Sequence, residues 1–181
     1  WLGCRHTSPG CQNCYAETWG NRFGVKWGGP RRRTSAAYWR QPLRWNDEVF
    51  CCAGCGYGFD PSDAGRKCDE CGEILTPHPR PRVFCGSLCD VFDDEVPIEW
   101  LADLLALIHA TPNLDWLLLT KRPQNWIKRM IAVCDLIVNK WPDELSISRD
   151  STQWIVDWRD GKIPANVWLG TSVEDQARAD E

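Results

Sequence analysis

The chain carries 181 residues, with 21 Lys and Arg against 25 Asp and Glu and a net charge of −4. That length supports one packed domain with room for a small satellite, and the mild acidity excludes a global electrostatic pull toward nucleic acid or an anionic membrane. No apolar stretch is long enough to span a bilayer and no signal-peptide pattern stands at the start, so 11 cysteines point to reduced thiolates serving metals in a cytoplasmic setting, not to a secreted disulfide framework. Trp1 opens the chain inside what reads as a motif and Glu181 closes it in charged, helix-like sequence; the expectation is a fragment truncated at both ends. The 12 tryptophans are expected in the core and along grooves, each with an indole N–H that wants a partner.

In chain order, the first feature is a glycine- and proline-broken loop holding Cys4, Cys11 and Cys14. It runs into a helix predicted over Tyr15 to Phe23. Gly24 to Pro42, rich in Gly, Arg and Trp without a clean period, reads as loop. Cys51 to Cys71 is a separate module, and His78-Pro79-Arg80-Pro81 is a stiff extended linker. Arg82 to Leu88 reads as a buried strand. Pro97 starts a helix whose Leu101, Leu104, Leu105 and Ile108 recur at helical spacing, and Thr111-Pro112-Asn113 stops it. Asp115 to Thr120 is a second strand, Gln124 to Val138 a second helix of this series, and Asn166 to Thr171 a third strand. Lys140 to Gly161 is an irregular insertion with no assigned element. Strands separated by helix-length segments predict right-handed βαβ units and a parallel sheet. The expected division is 1–49 for the cysteine loop, first helix and Arg/Trp-rich loop, 50–76 for the inserted module, and 77–181 for the βα units.

Two cysteine sets carry chemistry. Cys52, Cys55, Cys68 and Cys71 form paired CxxC knuckles with the spacing of a zinc ribbon, with Cys51 as a neighbour able to replace Cys52. Cys4, Cys11 and Cys14 are an incomplete set. Structural zinc takes four protein ligands, whereas a cubane iron–sulfur cluster held by three leaves one iron open. His6 inside the loop, or a distant residue, keeps a second zinc site in play, and Glu17 is the base that a zinc hydrolase would need. Cys85 and Cys89 read as strand packing, and Cys134 and His109 as structural or exposed helix positions. Asp90, then Lys121 and Arg122, then Ser172, Glu174 and Asp175 each follow a predicted strand, at the edge where open α/β sheets and barrels bind ligands.

These residues fall in a recognisable order: Ser8-Pro9-Gly10-Cys11 through Cys14-Tyr15-Ala16-Glu17, Arg82 to Ser87 leading to Asp90-Val91-Phe92, Leu118-Leu119-Thr120-Lys121-Arg122-Pro123, and Asn166 to Glu174. Together they resemble a phage and bacterial family labelled by phage gene products thirty-seven and sixty-eight, which carries a three-Cys motif and is related to radical S-adenosylmethionine proteins. The resemblance spans nearly the whole chain outside the inserted module and the stretch Lys140 to Gly161. It implies an α/β fold built as a partial (β/α) barrel of radical-SAM type, here with an inserted zinc-ribbon-like module. It further implies that Cys4, Cys11 and Cys14 bind a 4Fe-4S cluster whose fourth iron chelates S-adenosylmethionine; Asp90, Lys121, Arg122, Ser172 and Glu174, from their place after the strands, are the expected cofactor-binding residues. Six residues separate Cys4 from Cys11 where radical-SAM proteins have three, and Asn13 stands where they carry an aromatic residue.

The resulting expectation is an iron–sulfur protein using S-adenosylmethionine for radical chemistry, served by an electron donor and a partner protein encoded nearby. Nucleic acid is the expected substrate class, because zinc ribbons and arginine-rich loops commonly track phosphates. The rival expectation is a non-catalytic, metal-stabilised module of phage origin that binds nucleic acid or protein.

Overall fold

The structure is a computed structural model that describes residues 1–140 and 149–173. Among the described residues the regular elements are α1 (Tyr15–Arg22), α2 (Ala36–Glu48), β1 (Arg82–Cys85), α3 (Ile98–His109), β2 (Asp115–Thr120), α4 (Trp126–Lys140), α5 (Arg149–Arg159) and β3 (Val167–Thr171). The strands form one parallel sheet in the order β1-β2-β3, with Phe84, Leu117 and Trp168 in register across it. Each crossover therefore steps the same way, and α3, α4 and α5 pack on one another over a single face of the sheet. The described residues form a mixed α/β structure and no closed barrel.

Strand alternation explains the core. Trp116, Leu118 and Val167 point to the helix side and are buried with Leu101, Leu105 and Ile108 of α3 and Met130, Val133 and Ile137 of α4. The opposite face is open: Phe84, Leu119 and Trp168 are exposed at 49%, 39% and 61%. Trp116 Nε1 donates to Thr111 Oγ1 at 3.1 Å, as a buried indole is expected to do. The indole N–H groups of Trp39, Trp126 and Trp158 have no such partner among the described residues, so bulk and not bonding places them.

Three expectations need correction. Gly24 to Pro42 is not all loop, because α2 begins at Ala36. The Ser35 side chain accepts from the Tyr38 N–H at 3.3 Å to cap it, and Trp39 and Trp45 pack on the core beside buried Pro42. That burial overrides the roughly 3 kcal/mol an interior proline costs a helix. Lys140 to Gly161 contains α5, whose Ile155 and Trp158 are wholly buried. Trp154 stands edge-on to both Trp158 and His109, at 5.2 Å between ring centroids in each case. Finally, β1 ends at Cys85 and not Leu88. Gly86 takes φ +85°, and a Cβ there would come within 3.2 Å of Val91 Cγ2, so the chain turns at this residue.

Candidate metal centres and the strand-edge pocket

The cysteine loop is built by short-range backbone bonds. A 3-10 turn spans Pro9–Asn13, Cys11 N–H donates to Ser8 O, and Cys14 N–H donates to Cys11 O before α1 begins at Tyr15. Tyr15 Oη donates to Ser87 O at 2.8 Å and Gly3 N–H to Leu88 O at 3.0 Å, which fasten both ends of the loop to the segment after β1. Cys4, Cys11 and Cys14 thereby line one cavity of about 90 Å³ together with Asp90, Lys121 and Arg122. Ser172 lines it as well, so the ends of β1, β2 and β3 all meet the cysteine loop. Glu174 and Asp175 lie outside the described residues. His6 also borders the cavity, but its Nε2 pairs with Glu17 Oε2 at 2.8 Å, which engages the base that a zinc hydrolase would use.

Asp90 faces inward. Its Oδ1 accepts from Thr120 Oγ1 at 2.7 Å and from Phe92 N–H at 3.0 Å, and its Oδ2 accepts from Lys121 N–H at 2.8 Å. Arg122 Nη1 lies 3.2 Å from that second oxygen and also donates to Cys4 Sγ at 3.3 Å, while Nη2 donates to Arg5 O at 3.0 Å. Both side chains are buried. A second network runs alongside: Arg31 Nε pairs with Asp93 at 2.6 Å with both side chains buried, and Glu95 pairs with both Arg31 and Arg5.

The neighbouring arginines are exposed but paired. Arg33 pairs with Asp103 at 2.6 Å and lies 4.5 Å over the Trp39 ring, and Arg32 donates to Phe23 O. Of the arginine cluster, only Arg31 is built into the interior.

The thiols differ in how readily they ionise. Burial pushes the Cys4 thiol above its ordinary value, with the Arg122 hydrogen bond and charge opposing that rise. Burial would raise Cys11 as well, but backbone N–H and hydroxyl donors of Thr7 and Ser8 outweigh it and bring Cys11 down to about 7.

The module at Cys52, Cys55, Cys68 and Cys71 is built of two matching knuckles. Cys52 N–H bonds Tyr57 O and Gly56 N–H bonds Cys52 O; Cys68 N–H bonds Glu73 O and Gly72 N–H bonds Cys68 O. Gly56 and Gly72 take φ +74° and +78°, the left-handed geometry such a turn needs. The four sulfur atoms lie within 4.8 Å of one another. Backbone N–H groups of Cys55 and Gly54 draw the Cys52 thiol down to about 7. Cys71 is pushed up by its sulfur neighbours, Cys52 foremost, although the Glu73 N–H opposes this. As thiolates, four sulfur atoms this close could hold a cation between them, and the chemistry of the donor set fits a tetrahedral metal. Among the described residues, Cys4, Cys11 and Cys14 share one cavity without forming a four-sulfur group of that kind.

A family model described as a protein of unknown function, DUF5131, matches residues 1–181. The chain belongs to the DUF5131 family. No curated protein and no solved structure matches it.

In this family member, Cys85 and Cys89 are not thiolates at neutral pH: burial pushes Cys85 up to about 11 and Cys89 well above its ordinary value. Cys51 Sγ donates to Asp47 O and stands apart from the four-sulfur group. A second cavity of about 450 Å³ lies against α2 and β1, walled by Trp1, Trp39, Trp45 and Tyr38. It shares Phe84, Gly86, Ser87 and Cys89 with the cysteine pocket, so the two are neighbours across one wall. Sequence reasoning missed this cavity because it treated the helix that walls it as loop. The Ser35 cap before Trp39 and Trp45 was the available signal.

Proposed function

We propose that the protein holds a 4Fe-4S cluster on Cys4, Cys11 and Cys14, uses S-adenosylmethionine at the iron left free, and carries a separate structural zinc at Cys52, Cys55, Cys68 and Cys71. The observation that carries this reading is the meeting of three loop thiols with the ends of three parallel strands around one cavity. A sheet in sequential parallel order with its helices on one face supports the wall of a (β/α) barrel, the fold the resemblance implies. The donor set fits the group: three thiols line one cavity, Cys11 ionises readily, and Cys4 is met by a buried guanidinium. When bound, such a cluster supplies single electrons, which in radical S-adenosylmethionine proteins drive reductive cleavage of that cofactor.

The protein's own groups divide the work of the pocket. Asp90 ties the end of β1 to the start of the Lys121-Arg122 turn, Arg122 holds the loop, and Lys121 and Ser172 present polar groups to the cavity. The aromatic-walled cavity beside it has the volume and apolar lining of a small-molecule site, and gives room for the rest of a cofactor or substrate. The chemistry requires an electron donor. With Arg31 and Arg33 buried or paired, nucleic acid stays a substrate class to test, without support from that cluster.

The four converging sulfurs favour a second reading, a non-catalytic module in which metal only stabilises a binding surface. One preparation separates the two. Full-length protein reconstituted anaerobically with iron and sulfide should turn brown, and its reduced electron paramagnetic resonance signal should change when S-adenosylmethionine is added. A colourless protein that retains only zinc would overturn the first reading and keep the second.

A further inference from the structure

We infer that Arg122 positions the Cys4 sulfur and sets the reduction potential of the thiolate-bound group in the pocket, an inference that rests on the iron–sulfur reading above. The guanidinium is buried, with its side chain 2% exposed, and it reaches across 118 residues to the loop. One nitrogen donates to Cys4 Sγ at 3.3 Å and the other to the next carbonyl, Arg5 O, at 3.0 Å, so the fork grips the sulfur and the backbone that carries it. Asp90 balances the charge at 3.2 Å, and that carboxylate is itself held by Thr120, by the Lys121 N–H and by the Phe92 N–H. The Arg122 N–H meets Thr120 Oγ1 at 2.8 Å, which fixes the backbone from which the side chain springs. The backbone bond and the Asp90 pair together hold the guanidinium against the loop. A buried cation left without its carboxylate is strongly disfavoured.

An N–H donor and a positive charge at a ligating sulfur favour the more reduced, more negative state, so Arg122 raises the potential relative to a pocket without it. A lysine retains the charge but lacks the planar fork needed to hold sulfur and carbonyl together.

The test compares the full chain with Arg122→Met, Arg122→Lys and the double variant Asp90→Asn/Arg122→Met, which removes both buried charges at once. In reconstituted protein, Arg122→Met should move the midpoint to more negative potential and lose cluster absorbance about 10-fold faster on dilution into chelator. Arg122→Lys should recover part of the potential but not the slow loss. The double variant also removes the opposing negative charge, so its midpoint should fall less than that of Arg122→Met, while its cluster absorbance should still be lost faster than in the unmodified chain. Unchanged potential and loss rate in a folded Arg122→Met or double variant would overturn the inference, leaving Arg122 as a strut. If the unmodified chain takes up no iron, the iron–sulfur reading fails by itself. Amide exchange across residues 3–14 of the metal-free chain then decides Arg122. Faster exchange there in the variants, with the four-cysteine module unaffected, supports positioning, and identical exchange overturns it.

Discussion

Cys11 and Cys4 sit on one loop yet face opposite electrostatic conditions. Burial opposes ionisation of both, but several donors from Thr7 and Ser8 outweigh it at Cys11, whereas Cys4 relies on a single arginine for relief. A thiolate, not a thiol, reacts with iodoacetamide, so the two should separate in a pH series. In metal-free protein, alkylation of Cys11 should rise through a midpoint near pH 7, because its proton leaves there, while Cys4 should react only at pH values above the ordinary thiol range. Peptide mass spectrometry resolves the sites, and a common midpoint for both would refute the assignment. The cysteines themselves could be read directly from spacing. The donors that tune them could not, because Arg122 lies 118 residues from Cys4 and only the folded sheet brings them together.

At the scale of elements, the regular pattern of leucines made α3 and β2 legible, and β2 spans Asp115–Thr120 as its apolar run predicts. The two unassigned helices share a different chemistry. Both α2 and α5 are polar sequences whose core contacts come from a few large tryptophans, so their periodicity is carried by one or two side chains and is easily masked by surrounding charge. That dependence makes α5 sensitive to a single change. Trp158 is wholly buried beside Ile155, and Trp158→Ala should destabilise the fold by about 3–5 kcal/mol in chemical denaturation. Trp168→Ala, on the open sheet face at 61% exposure, should shift stability by less than about 0.5 kcal/mol. Equal losses in the two variants would mean that the exposed face is covered in solution.

Across the whole molecule, the four-cysteine module has a core of its own. Cys52, Cys68 and Leu75 form a small cluster with Phe59, apart from the large one around the sheet. A module with so little apolar content draws its folding free energy from the metal, on the order of 10 kcal/mol for zinc-finger-like sites. Cys68→Ser/Cys71→Ser should therefore release one zinc per chain and expose residues 51–75 to proteolysis, while iron uptake at the other site persists. Simultaneous loss of both metals would refute their independence.

The same separation orders events during synthesis. The first and last cysteines of the module, Cys52 and Cys71, are 19 positions apart, and both precede every strand of the sheet, which begins at Arg82. The strand-edge pocket must wait until Arg122 and then Ser172 have emerged and the strands have paired, because its walls come from contacts distant in sequence. The cysteine loop therefore gains its finished surroundings only after the sheet has folded. A chain stalled or cleaved before Arg122 would have a complete four-cysteine module and would lack the guanidinium that grips Cys4, so an unfinished protein offers only an unfinished pocket there.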